Sequence, residues 1–148
     1  MTHTAKTLNY FLSDDFETAT QSLKHIISNL RIANIKEDSV EFMFFPEYIS
    51  LYGMNDYKTS IAAFEFITQF TSCEFAVRPF LIKYEKTMLK QMTVWSKHPN
   101  YRVRRLASEG SRPRLPWAMA LPSFKHNPEP LLAILKNLKQ DDAEIVRR

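Results

Sequence analysis

The spacing of apolar residues constrains the fold of this chain more than any other feature of its sequence. In five segments, apolar side chains recur at the intervals i, i+3, i+4 and i+7, which place them on one face of an α-helix. These segments are residues 16–30, 73–81, 88–95, 103–107 and 131–138. Residues 61–70 are apolar nearly all round, which is typical of a helix buried between neighbours. No competing alternation of apolar and polar residues predicts a strand, so the sequence predicts an all-α fold.

Acidic residues, a proline and a glycine predict where some of these helices begin and end. Asp14, with Glu17 three residues later, is typical of a capped start for the first helix. Residues 40–45 are apolar without a clear period and leave helix and strand both open. Pro46 is expected to begin a short helix that ends near Gly53.

The composition argues against cofactors and metals. Only two glycines, Gly53 and Gly110, occur in the 148 residues. Loops that cradle the phosphates of ATP or a dinucleotide need several closely spaced glycines. One cysteine, Cys73, and four scattered histidines offer no zinc cluster. We therefore expect a protein that works without a metal or a small-molecule cofactor.

The sequence also predicts where the chain resides. No stretch reaches the ~18 consecutive apolar residues of a membrane-spanning helix. The N-terminus lacks the charged and then apolar segments of a secretion signal. The single Cys73 excludes an internal disulfide and suits a reducing compartment. These features predict a soluble protein of the cytoplasm that does not bind membranes.

A valine–arginine pair recurs near three expected helix starts, at Val77, Val103 and Val146. The interval from Val103 to Val146 is 43 residues, within the ~40–47 residues of a HEAT or armadillo helix pair. The interval from Val77 to Val103 is only 26 residues. This spacing predicts one HEAT-like α-solenoid domain over residues 1–148, with a short or irregular first unit. Because the chain stops at Arg148, one turn into an expected helix, we expect an N-terminal portion of a longer solenoid.

Charge is distributed unevenly along the chain. Residues 13–65 hold nine acids and four bases, a net charge of −5, while residues 86–128 hold nine bases and one acid, a net charge of +8. Five arginines lie within residues 102–114, and guanidinium groups match phosphate geometry better than scattered lysines do. A solvated basic surface explains an ordinary basic run, whereas this arginine cluster favours a polyanionic partner such as DNA.

Two carboxylates are candidates for chemistry. Glu109 is the one acid of the basic stretch, and Arg105 four residues earlier shares its helical face. A surface ion pair would explain Glu109 structurally, but an acid near a helix end marked by Gly110 opposes the helix dipole, which favours a function. Glu74, taken by itself, is adequately explained by a pair with Arg78 in the first turn of a helix.

A stiff loop is expected after this helix. Two prolines three residues apart prevent a regular helix, so that Arg112, Arg114 and Trp117 lie on an irregular segment. Arginine beside a fixed aromatic ring suits a phosphate backbone and an exposed base. Trp117 is equally well explained as a core residue between helix layers.

Three segments resemble a known family. SCEFAVRPFL at residues 72–81, VRRLASEGSRPRLPW at residues 103–117 and PEYISLYG at residues 46–53 look like the AlkC branch of the AlkC/AlkD DNA glycosylases. The resemblance extends over residues 46–148. It implies an all-helical HEAT-like solenoid that binds alkylated double-stranded DNA in a basic cleft. It also implies excision of positively charged bases such as 3-methyladenine and 3-methylcytosine, without a metal or cofactor.

The resemblance assigns roles to individual residues. Glu74 and Glu109 match the family's active-site acids, which reverses the structural explanation of Glu74, and Arg105 matches its DNA-contacting arginine. Because N3-alkylation gives the base a positive charge, the base departs neutral without a general acid. A carboxylate then has to stabilise an oxocarbenium-like sugar or orient water. The residues expected to contact DNA are Arg102, Arg104, Arg105, Arg112, Arg114 and Trp117.

Two other functions stay open. A shortened or degenerate solenoid would bind DNA or an acidic protein through the same arginines without catalysis. A protein–protein scaffold, the common role of HEAT arrays, leaves the charge of residues 86–128 unexplained. Release of free 3-methyladenine separates the enzyme from the binders, whereas salt-sensitive DNA binding without release favours a binder.

Overall fold

The computed structural model describes residues 1–147, and every regular element in that range is a helix. The all-α fold predicted from the sequence is confirmed for these residues. By their internal contacts they divide into two compact units, Met1–Ala76 and the part from Val77 onward. The single-domain organisation stays a prediction, and each unit is described by itself. No helix within residues 1–147 is both long and apolar enough to cross a membrane.

The first unit is organised around its third α-helix. Its elements are α1 (Thr2–Asn9), α2 (Phe16–Ile32), a 3₁₀-helix (Val40–Met43), α3 (Phe44–Tyr52) and α4 (Tyr57–Ile67). Helix α3 lies against α1, α2 and α4. The largest buried apolar side chains of this unit are Leu23, Ile27, Phe45, Tyr48, Ile49, Phe64, Ile67 and Phe70. Removal of these side chains from water, worth about 1.5–3 kcal/mol for each aliphatic one, stabilises the packing of the helices.

The start of α2 differs from the sequence prediction by one residue. Asp15 caps the helix, and its carboxylate accepts hydrogen bonds from the Thr18 backbone N–H at 2.8 Å and the Thr18 hydroxyl at 2.6 Å. The hydrogen bond from the Thr18 hydroxyl, and to a smaller extent the one from the Thr18 N–H, holds the pKa of Asp15 below its ordinary value. The prediction of Asp14 was wrong because two adjacent acids fit the same pattern. The extended backbone at Asp15 brings its carboxylate over the first turn.

Helix α3 begins two residues earlier than predicted. Residues 40–45, which the sequence left open, form the 3₁₀-helix and the first two residues of α3. Pro46 lies within the first turn, where a missing N–H removes no helix hydrogen bond. Gly53 follows the end of the helix, as predicted. A Cβ atom at Gly53 would lie 2.2 Å from Ser60 Oγ and 2.4 Å from Phe16 Cζ, so glycine permits a close approach there.

The second unit is organised around α7. Its described elements are α5 (Arg78–Lys83), α6 (Glu85–Trp95), α7 (Tyr101–Gly110), α8 (Pro122–His126), a 3₁₀-helix (Glu129–Leu131), α9 (Leu132–Leu138) and α10 (Glu144–Arg147). Helix α7 contacts α6, α9 and α10. The buried side chains of these four helices are Met88, Met92, Trp95, Val103, Leu106, Ala107, Ile134, Leu138 and Val146. They form the core against which α7 is fixed.

The valine–arginine pairs do not all hold the same place in their helices. Val103 and Val146 are each the third residue of a helix, α7 and α10 respectively, whereas Val77 precedes α5. The expectation that a helix already covers residue 73 onward is wrong, because residues 74–77 form a turn and α5 begins at Arg78. Pro79 suits the start of α5, since its ring fixes a helical φ and its missing N–H has no helix partner there.

Candidate functional site

Helix α7 carries most of the residues that the sequence singled out. Its start is fixed by Asn100, whose side chain accepts a hydrogen bond from the Arg102 backbone N–H at 2.9 Å. Burial of its apolar stripe fixes the rotation of the helix about its axis. Arg102, Arg105 and Glu109 follow one another at intervals of three and four residues, so they share one side of the helix.

Glu109 lies one residue before the end of α7. Its side chain is only 12% exposed, and its Oε1 lies 3.0 Å from Nη1 of Arg112 in an ion pair. Arg105, the partner that the sequence suggested, donates a hydrogen bond to the Ile145 carbonyl at 2.9 Å. Glu109 is therefore a largely shielded carboxylate with a guanidinium from the following loop beside it.

A buried arginine holds the end of α7 in place. Arg78 has no exposed surface; its Nη1 donates to the Gly110 carbonyl at 3.0 Å and its Nε donates to the Met119 carbonyl at 2.5 Å. A cation at a helix C-terminus is favourable because the last carbonyls carry partial negative charge. This placement offsets the unfavourable position of Glu109. Burial lowers the pKa of Arg78 from its ordinary value, yet an arginine stays charged in proteins.

The sequence did not reveal this role of Arg78. Sequence reasoning linked Arg78 to Glu74, four residues earlier, whereas its hydrogen bonds reach residues 32 and 41 positions later. No local pattern indicates contacts over such a separation. Gly110 also permits a close approach of the residue before Arg78, because a Cβ atom at Gly110 would lie 3.0 Å from Val77 Cγ2.

The loop after α7 displays its tryptophan to solvent. Leu121 donates its N–H to the Pro113 carbonyl at 3.0 Å, which closes the loop, and Ala118 donates to the Leu115 carbonyl at 3.2 Å. The second of these hydrogen bonds closes a turn over residues 115–118, in which Trp117 is the third residue. Its φ of 62° is the positive value that this position of a type II turn requires. Trp117 is 99% exposed, so its interpretation as a core residue is wrong.

The five arginines differ in what they contact. Arg114 is exposed and Arg112 is 44% exposed while paired with Glu109. Nε of Arg102 donates to the Tyr101 hydroxyl at 3.1 Å, and its guanidinium lies 5.8 Å from that ring. Arg102 and Arg105 are half-buried. These four side chains lie on the same helix and the loop that follows it.

Arg104 is engaged within the protein. Its Nε and Nη2 contact the two carboxylate oxygens of Asp141 at 2.5 and 2.9 Å, and its Nη1 donates to the carbonyls of His98 and Pro99. This hydrogen bonding holds the pKa of Asp141 below, and that of Arg104 above, their ordinary values. The contacts give Arg104 a structural role, since they join the first part of α7 to the segment before it and to the loop before α10; its contact with DNA stays a prediction.

Glu74 lies in the first unit and not on a helix. It belongs to the turn of residues 74–77, and its N–H is donated to the Ser72 hydroxyl at 3.3 Å. The placement of Glu74 on a repeat helix was wrong, because the turn delays the start of α5. Its neighbour Cys73 is fully buried, and burial raises the pKa of that thiol. Glu74 and Glu109 belong to different units, so their joint action stays a prediction.

The side chains of the second unit define what its chemistry can be. Within residues 1–147, no group of three or more His, Cys, Asp or Glu side chains is arranged to hold a metal ion. What α7 and its loop offer is one shielded carboxylate, several guanidinium groups and an exposed aromatic ring. Such a set suits the stabilisation of a developing positive charge beside a bound polyanion.

The chain is similar to known proteins over most of its length. No family model matches the chain. An uncharacterised protein of Bacillus subtilis (strain 168), YhaZ, is 42% identical over 133 residues, which are 90% of this chain and 37% of that protein. The alkylpurine DNA glycosylase AlkC of Pseudomonas fluorescens, solved bound to DNA containing an abasic site analog, is 47% identical with a TM-score of 0.69.

The AlkC match covers 71% of this chain and 29% of the solved one. The chain thus spans between a quarter and two fifths of the length of both relatives. An identity of 47% together with this structural similarity supports the HEAT-like helical fold class as well as the family resemblance. The resemblance predicted from the sequence is confirmed: the chain is similar, in sequence and in fold, to part of an AlkC-type DNA glycosylase.

Proposed function

We propose that this chain serves DNA repair as part of an AlkC-type glycosylase, which excises positively charged N-alkylated bases from double-stranded DNA. The observation that carries the proposal is the shielded carboxylate of Glu109, paired with Arg112 and followed by an arginine-rich loop. The 47% identity to a glycosylase solved on DNA supports it. The bacterial cytoplasm, where such DNA is found, is the proposed location.

The proposed reaction needs little from the protein beyond charge and position. An alkylated base such as 3-methyladenine or 3-methylcytosine already carries a positive charge. When the glycosidic bond breaks, its electron pair neutralises the base, and the sugar becomes oxocarbenium-like. Water then adds to the sugar carbon and releases a proton. Glu109 is proposed to stabilise the cationic sugar or to orient this water, with Glu74 as its companion.

Arg112 is proposed to fix the carboxylate for this task. Its Nη1 lies 3.0 Å from Oε1 of Glu109, so the carboxylate has a defined orientation before DNA binds. A guanidinium has five donors, and the Arg112 side chain is 44% exposed. We propose that Arg112 keeps its contact with Glu109 and also meets a phosphate of the bound strand.

The remaining predicted DNA contacts divide by position. Arg102 and Arg105 on α7 and Arg114 in the loop are proposed to contact phosphates. Trp117, 99% exposed at the tip of the loop, is proposed to stack against a base or sugar. Arg104 is proposed to act indirectly, because its contacts with Asp141 and two carbonyls hold the arginine-bearing helix in place.

A non-catalytic DNA-binding segment is the competing function. The observation in its favour is that the chain spans 29% of the solved AlkC protein. The same arginines would then bind DNA, and base release would require residues supplied by other parts of such a protein. This alternative predicts salt-sensitive binding and no release of alkylated base.

A substitution of Glu109 tests the proposal. Glu109→Gln keeps the shape of the side chain and removes its charge, so we expect base release to fall by at least about 100-fold. Release of 3-methyladenine from methylated duplex is measured alongside binding to duplex with an abasic site analogue. Binding is expected to persist, because the arginines are unchanged.

The matched control is Glu129→Gln, which removes an exposed carboxylate of the same unit. Unchanged release by Glu109→Gln would contradict the catalytic proposal. Binding without release by the unsubstituted chain would favour the non-catalytic alternative. Absence of DNA binding by that chain would overturn both.

A further inference from the structure

A second basic feature of this unit lies beside the arginine loop and involves residues outside the predicted site. It is an open cavity of about 430 Å³, lined by Pro113, Arg114, Phe124, Lys125 and Pro128. Arg114 was expected to contact DNA. The other four residues have no predicted function; Phe124 and Lys125 belong to α8, and Pro128 lies two residues after its end.

The chain builds this cavity by folding the loop back on α8. The hydrogen bond from the Leu121 N–H to the Pro113 carbonyl, 3.0 Å long, brings the two ends of the loop together. Helix α8 begins at the next residue, Pro122. Phe124 is buried, at 2% exposed, whereas its neighbour Lys125 is exposed. One side of α8 therefore supplies an apolar floor and the next residue a cation at the rim.

The lining has a defined chemical character. Its two charged groups, Arg114 and Lys125, are both cations, and none of the five lining residues is acidic. The three remaining residues present proline or phenyl rings. A guanidinium and an ammonium at one opening suit a phosphate oxygen pair. Apolar rings beside them suit the carbon atoms of a sugar, which lose little when they leave water.

We propose that this cavity is a subsite for the DNA backbone, which holds one phosphodiester and the deoxyribose attached to it. Arg114 and Lys125 bind the phosphate, and the rings of Pro113 and Pro128 contact the sugar above the floor that Phe124 forms. This inference rests on the proposed function, because it assumes that the chain binds DNA. It adds a contact point separate from Glu109 and independent of base sequence.

The salt dependence of DNA binding tests the subsite. Each lost phosphate contact on duplex DNA lowers the slope of log affinity against log salt by about 0.9. We therefore expect Lys125→Gln and Arg114→Gln each to reduce the slope by about 0.9 and to weaken binding equally on different sequences. Fluorescence anisotropy of labelled duplexes over a salt series measures both quantities.

Lys136→Gln is the matched control, because it removes an exposed lysine of α9 that does not line the cavity. Lys125 and Lys136 are both exposed, so thermal unfolding of the two variants is expected to match that of the unsubstituted chain. If Lys125→Gln and Lys136→Gln give the same slope on DNA that the unsubstituted chain binds, the subsite is overturned and the proposed function stands. If the unsubstituted chain does not bind DNA, the proposed function itself fails.

A free phosphate group is the other source of the same chemistry. Inorganic phosphate is added at constant ionic strength to the complex with labelled duplex. A backbone subsite predicts little displacement, because one phosphate is a small part of the interface. Saturable binding of phosphate that Lys125→Gln abolishes, together with an unchanged DNA salt slope in that variant, overturns the subsite in favour of a small-anion site.

Discussion

Arg104 and Arg114 belong to the same basic stretch of sequence, ten residues apart, but they have opposite surroundings. Arg104 has 18% of its side chain exposed and makes contacts with Asp141, His98 and Pro99. Arg114 is exposed on a loop and lines an open cavity with Lys125. Arg104 contributes to the fold, whereas Arg114 presents its charge to solvent.

This difference shows why a count of charges along a chain overstates the charge available to a ligand. Residues 86–128 carry a net charge of +8, but Asp141, which neutralises Arg104, lies outside that stretch. Glu109, within the stretch, lies against Arg112. The arginines of this segment thus divide into those directed into the protein and those directed to solvent. Arg78, which precedes the segment, is also directed into the protein.

The largest expected effect comes from the arginine with no exposed surface. Arg78→Met leaves the carbonyls of Gly110 and Met119 without their donor, and we expect a loss of about 2–4 kcal/mol in the free energy of unfolding. Urea denaturation measures it. Arg78→Lys keeps the charge with fewer donors and is expected to lose an intermediate amount. Equal stability of wild type and Arg78→Met would show that these contacts do not hold α7 in place.

The second prediction concerns the ion pair of Arg104. Asp141→Asn removes the charge of the partner and is expected to lower the free energy of unfolding by about 1–2 kcal/mol near neutral pH. Because Arg104 holds the pKa of Asp141 below its ordinary value, this stability is present above the unfolded-state pKa. It is lost as the pH falls through the folded-state pKa.

The measurement is urea denaturation of wild type and Asp141→Asn as the pH is lowered. The difference between them is expected to shrink below pH ~4. Asp142→Asn alters the exposed neighbouring carboxylate, which attracts Arg104 without the hydrogen bonds that Asp141 makes, and serves as the control with a smaller expected loss of stability than Asp141→Asn. A difference that does not vary with pH would contradict the charge-based role of this pair.

The difference between local and long-range contacts also determines which features of the structure the sequence predicts. The helical periodicity and the glycine positions predict α2, α3 and the end of α7, because those signals act within a few residues. The contacts of Arg78 with Gly110 and of Arg104 with Asp141 join residues 32 and 37 positions apart, and no local pattern indicates them. The charge pattern singled out Glu109 and the motif resemblance supported it, but its shielding and its pairing with Arg112 required the fold.

The smallest effect on stability is expected for Trp117, which is exposed on the same loop as Arg114. Its φ of 62° lies in the left-handed region, which costs a residue with a Cβ atom about 1–2 kcal/mol. Glycine avoids that cost but loses about 0.5–1 kcal/mol through its greater freedom in the unfolded chain. We therefore expect Trp117→Gly to be more stable than Trp117→Ala by about 0.5 kcal/mol, measured by thermal unfolding.

Both variants remove the exposed ring, so both are expected to bind DNA more weakly by a similar factor. Their stabilities, in contrast, are expected to differ, with Trp117→Gly the more stable of the two. This separates the two properties of Trp117: its backbone strain affects the fold, and its ring affects the ligand. If Trp117→Ala and Trp117→Gly bind duplex as tightly as the unsubstituted chain, the ring does not contact DNA. The strained turn would then serve only to position Arg112 and Arg114 on either side of Pro113.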